Sequence, residues 1–132
     1  MVSVPRNQSG YIALLAVLII GAAATAISLV LLSIGADSQR SMLITQQSKQ
    51  ARVLATACAQ EALQQIHDNI AYSGTGSLVI GQGNCSYTVT VTAGTTRTIT
   101  TSGTVGSVVR KALVYVTIST SAISVSSWQE TS

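Results

Sequence analysis

Charge is what this sequence has least of. Only 8% of its 132 residues are Asp, Glu, Lys or Arg, and its mean hydropathy is +0.47. Such a chain is too apolar to stay disordered and unusual for a freely soluble domain. The formal net charge is +3, but the basic residues are scattered. Arg110-Lys111 is the only basic pair. Neighbours on a strand point to opposite faces, so the pair makes no patch and nucleic acid is not an expected partner. Histidine occurs once and acids four times, with no concentrated polar cluster. Asp68 follows His67, but adjacent helical residues do not face each other. Serines are frequent, yet the sequence places no base beside any of them. We therefore expect no enzyme and no cofactor. Proline is present once, at Pro5, so nothing in the apolar run that follows calls for a kink.

What is abundant is aliphatic sequence near the N-terminus. Residues 1–10, MVSVPRNQSG, form a polar leader, and no residue from Tyr11 to Ile34 is charged. As a helix at about 1.5 Å per residue, that run is about 36 Å long, against about 30 Å for a hydrocarbon core. Residues 11–35 can therefore span a bilayer. Gly21, Thr25, Ser28, Ser33 and Gly35 punctuate the run, and small residues let helices approach closely where lipid gives no hydrophobic drive.

The helical signal continues past the apolar run. From Asp37 to Ile70 there is neither Pro nor Gly. Leu43, Ala51, Leu54, Cys58, Ala62, Ile66 and Ile70 recur, from Ala51 onward, at three- and four-residue intervals. Residues 36–70 thus read as an amphipathic continuation of the same helix. Ser73, Gly74 and Gly76 then signal a turn, and the period changes to two. Leu78–Ile80, Cys85–Thr92, Arg97–Val105 and Val108–Ser119 read as strands, separated by turns at 81–84, 93–96 and 105–107. Tyr87, Val89 and Val91 share one face, and Ser86, Thr88, Thr90 and Thr92 the other. Residues 71–132 are expected to form a three- or four-stranded antiparallel meander. Its Ser-rich tail is either a weak fifth strand or loose, with Trp128 covering the sheet edge. The expected class is α+β, a long helix packed on a small sheet, because a sheet this size needs cover for its apolar face.

Cysteine occurs twice, at Cys58 and Cys85. If the second half is exported, the simplest pairing is a disulfide from the helix stripe to the first long strand. Closing that loop is worth about 3.6 kcal/mol in the chain-entropy model. Free thiols are the rival. A metal site with His67 is not expected, because Cys58 and His67 lie on opposite faces of a helix.

A polar leader ending at Gly10, the aromatic Tyr11, an apolar helix, its amphipathic extension with CAQEAL at 58–63, and a small antiparallel sheet together resemble a type IV pilin or pseudopilin. The resemblance covers the whole chain in plan, but only the N-terminal stretch is motif-like. It implies cleavage between Gly10 and Tyr11 by a prepilin peptidase, and N-methylation of Tyr11. It also implies packing of the apolar helix, through Leu14, Leu15, Leu18 and Gly21, into a filament core. The implied partners are other pilin or pseudopilin subunits, the peptidase, an inner-membrane assembly platform and, before assembly, membrane lipid. The implied location is the cytoplasmic membrane, single pass with the N-terminus inside, then an extracytoplasmic filament or the cell surface. In one respect the chain departs from the family. Most pilins carry Glu at the fifth mature position, where this chain has Leu15. That shifts the expectation from a major to a minor subunit.

Two other readings share the hydropathy. One is a single-pass anchor carrying a small external β domain that never assembles. Arg6 precedes the run, while Arg40, Lys49 and Arg52 follow it, so the positive-inside rule does not choose a cytoplasmic N-terminus. The other is a secretory signal peptide cut near Ala22-Ala23-Ala24 or Ala24-Thr25-Ala26. That cut would leave an apolar stub through Ile34.

Overall fold

The computed structural model describes residues 7–120 and 122–132. Within them the order is one helix, α1 (Asn7–Asp68), then β1 (Gly74–Ile80), β2 (Gly83–Ala93), β3 (Thr96–Val105), β4 (Val108–Ile118) and β5 (Ile123–Thr131). Residues 1–6 of the expected leader lie outside the described residues, and Gly10 lies within α1. The chain divides into two compact units, the first ending at Met42 and the second running Leu43–Ser132.

In the first unit the described residues are all helical. Nothing from Gly10 to Met42 is buried. Among the described residues α1 is the one helix long and apolar enough to cross a membrane.

The second unit is the α+β body expected. All five strands pair antiparallel with their sequence neighbours, in the order β1-β2-β3-β4-β5. This is one more strand than the three or four of the meander. The addition is the tail: β5 pairs with β4 from Lys111↔Thr131 to Ile118↔Ile123. An edge strand needs hydrogen bonds on one side only, so a Ser-rich segment with little alternation can still hold there. β1 also begins earlier than Leu78, because Gly74 and Gly76 pair with Val89 and Tyr87 rather than turning. A Cβ on Gly76 would collide with the Tyr87 ring, so the bare strand is the space that the ring fills.

Three hairpins close on two-residue loops, Gly81-Gln82, Gly94-Thr95 and Gly106-Ser107. Each leading Gly has φ between 45° and 62°, and no non-Gly residue has positive φ among the described residues. Positive φ at the first central position alone is the type II′ pattern, whose twist matches that of paired strands.

The core lies between the helix and one face of the sheet. Ala51, Leu54, Cys58, Ala62 and Ile66 of α1 meet Tyr87 and Val89 of β2, Ile99 of β3, and Val114, Val116 and Ile118 of β4. Three members of the expected stripes fall outside it. Leu43 and Ile70 are exposed, as is Val91. Helix α1 stops at Asp68, and β2 shifts register between Val91 and Ala93, which carries its last residues off the core face. The opposite face of β2 and β3 carries Ser86, Thr88, Thr90, Thr98 and Thr100, none of them buried.

Candidate functional site

The largest unexplained surface is the apolar stretch of α1. Leu14 and Leu18 are each 61% exposed, and Leu15 is 40% exposed. Gly10 and Tyr11 are also exposed. A Cβ placed on Gly21 would meet nothing within 4 Å. Glycine inside a helix costs about 0.5–1 kcal/mol relative to Ala, and nothing within the chain requires it there. The Ser and Thr hydroxyls in this stretch are satisfied internally. Thr25 Oγ1 donates to Ala22 C=O at 2.9 Å, Ser28 Oγ to Ala24 C=O at 2.8 Å, and Ser33 Oγ to Val30 C=O at 2.8 Å. These donors need no water, so the surface is fit for lipid or for the faces of other apolar helices.

The second unit holds the remaining chemistry. Cys58 and Cys85 form a disulfide with Cα atoms 6.1 Å apart, joining α1 to β2. His67 is exposed, with Nδ1 3.5 Å from Asp68 Oδ1. Among the described residues no three His, Cys, Asp or Glu side chains come together as a metal site. Trp128 lies on the edge strand β5 in register with Val114 and is 38% exposed.

Three features were not read from the sequence. The first is Arg97, only 8% exposed. It donates from one terminal nitrogen to Gly94 C=O at 2.9 Å and from the other to Ile70 C=O at 3.2 Å. It thus ties the segment after the helix to the β2–β3 turn, while its Nε has no partner. Its position in an inward-facing slot of β3, between Thr96 and Thr98, was the available signal. The second is Tyr87, whose pKa is raised to about 12, first by burial, then by its hydrogen bond to Tyr72, then by the charges of Tyr72 and Glu61. The third is an open cleft of about 320 Å³ lined in part by Lys49, Arg52, Arg110, Lys111 and Glu130. Here the expectation for Arg110-Lys111 fails. Strand alternation fixes where each Cβ points, but long side chains at the end of a sheet can reach the same space. Lys49 and Arg52 join them from α1, an arrangement no local pattern could reveal.

No family model matches this sequence, and no curated protein or solved structure does either.

Proposed function

We propose that this chain is a structural subunit, a minor pilin or pseudopilin, of a type IV pilus or a type II secretion-like filament. In this reading prepilin peptidase cuts between Gly10 and Tyr11, the new terminus is N-methylated, and an inner-membrane platform moves the subunit from the bilayer into the filament. The observation that carries the proposal is the exposed, uncharged helical surface of residues 11–34, in a chain whose other unit has its own core and a covalent staple. Lipid covers such a surface before assembly, and neighbouring copies of the same helix cover it afterwards. The chain would then act by packing and not by catalysis.

Leu15 gives the proposal its direction. Without a carboxylate at that position, nothing in the apolar stretch can pair with a neighbour's amino terminus to fix register. That favours a minor over a bulk subunit. The second reading, a single-pass anchor with an unassembled external domain, shares the same exposed span; the cations Arg40, Lys49 and Arg52 that follow it favour neither reading, because both place them outside.

Mass spectrometry of the mature N-terminus separates the readings. A start at methylated Tyr11, abolished by Gly10→Ala, is the expected result. An intact Met1 would replace the proposal with the plain anchor. A start near Thr25 or Ile27 would replace it with a cleaved signal peptide.

A further inference from the structure

The cations of this chain are not spread evenly over the second unit. Four of the seven Lys and Arg residues, Lys49, Arg52, Arg110 and Lys111, line one open cleft of about 320 Å³. They come from α1 and the start of β4, and the end of β5 contributes Glu130. Glu130 is the only acidic side chain lining the cleft, and its carboxylate is held by Arg52 Nε at 2.6 Å. Arg110 is aimed rather than loose, since its Nε donates to Ser48 Oγ at 3.0 Å. Its terminal nitrogens, like the ammonium groups of Lys49 and Lys111, have no carboxylate partner among the described residues.

Clustered like charges repel, and none of the four belongs to the hydrophobic core. We infer that the cleft is a binding site for a small phosphate-bearing anion with two or more negative charges. Its volume is at the lower end of the range for small-molecule sites, about 300–1,000 Å³. With Arg52 engaged by Glu130, three cations remain to be matched. A monovalent carboxylate would leave most of that charge unbalanced, whereas a diphosphate group matches it. A guanidinium fork held by a hydroxyl suits phosphate oxygens, and the flanking lysines act as point charges. The phosphate group is supplied either by a free small molecule or by an anionic lipid headgroup. This inference does not depend on filament assembly.

The test uses the full chain in maltoside micelles at low salt, titrated calorimetrically with inorganic pyrophosphate. Saturable binding is expected, weakened at least about tenfold in Arg110→Ala/Lys111→Ala through loss of charge-assisted hydrogen bonds. Arg40→Ala, which removes a cation outside the cleft, should change nothing. Glu130→Gln removes the one carboxylate and releases Arg52, so it should tighten binding, a gain that a damaged fold cannot produce. A recombinant chain with a neutral extension after Ser132 should bind as well, which shows that no terminal carboxylate occupies the cleft. Nanodiscs of cardiolipin, whose headgroup carries two phosphates, against phosphatidylcholine distinguish the sources. Protection of the cleft lysines from acylation in the anionic discs but not in phosphatidylcholine discs identifies the headgroup, and protection by added pyrophosphate alone, equal in both discs, identifies the free anion. No saturable pyrophosphate binding would overturn the inference. So would an equal loss in Arg40→Ala, or binding of hexaglutamate or an oligonucleotide without pyrophosphate.

Discussion

Arg97 and Tyr87 are buried polar side chains at the helix–sheet core, and each has a readable consequence. Arg97 is a cation with carbonyl partners and no carboxylate. Burial of a charge costs less when its hydrogen bonds are made; the two terminal nitrogens make theirs and Nε does not, and the two bonds fix the geometry of the segment just beyond α1. Tyr87 is different, because the environment favours its neutral form. Unfolded, it ionises near 10, and folded near 12. Below pH 10 both states keep the proton, and the environment's preference for neutral Tyr87 contributes fully. Between pH 10 and 12 the unfolded chain loses the proton first, so stability falls as pH rises. The expected loss reaches about 2 kcal/mol at the upper end. Denaturant unfolding at pH 9 and pH 11 measures it. Tyr87→Phe should lower stability at pH 9 through the lost hydrogen bond, yet show a smaller decline towards pH 11. An identical decline in both proteins would assign the effect to other groups.

At the scale of elements the controlling contact is α1 on the sheet, and it is set by a residue with no side chain. A Cβ on Gly103 would stand 2.2 Å from Ala51 O and 2.6 Å from Ala55 N. Both are backbone atoms and cannot rotate away, so Gly103→Ala should cost at least about 2 kcal/mol by overpacking. Gly81 makes the useful contrast. A Cβ there meets nothing, but its φ is +62°, so Gly81→Ala should cost only about 1–2 kcal/mol in backbone strain. Thermal melts of the two variants in the same micelles rank them, and a milder Gly103→Ala would mean that the helix does not seat on β3. These two glycines also show what the sequence could and could not reveal. Gly81 is legible because a glycine between two alternating apolar runs signals a turn. Gly103 sits within a strand pattern and has meaning only once α1 lies across it. The helix stripe and the disulfide were legible for the same reason as Gly81, being periodic or countable. The fifth strand was only half visible, since β5 is held by backbone pairing with β4 and its side chains hardly alternate. The basic cleft was hidden because its residues meet only in space.

For the whole molecule, the two units differ in what they need from outside. Every member of the hydrophobic core cluster lies at or beyond Ala51, so the second unit is built to be stable without the first. A chain of residues 43–132 should be soluble without detergent, hold the Cys58–Cys85 bond, and melt within a few degrees of the full chain. Circular dichroism and gel filtration check this, and loss of cooperative melting would show that residues before Leu43 contribute to the core. The full chain should partition into detergent or membrane. The meander itself has a kinetic corollary. Each strand pairs only with its neighbour in sequence, so loop closure is cheap and no segment must wait for a distant one. In a chain delivered N-terminus first, β1, β2 and β3 can zip together while β4 and β5 are still arriving. Cys85 is already on the second strand. Oxidation to Cys58 can therefore begin before the sheet is complete, and the bond marks the moment the helix docks rather than the end of folding.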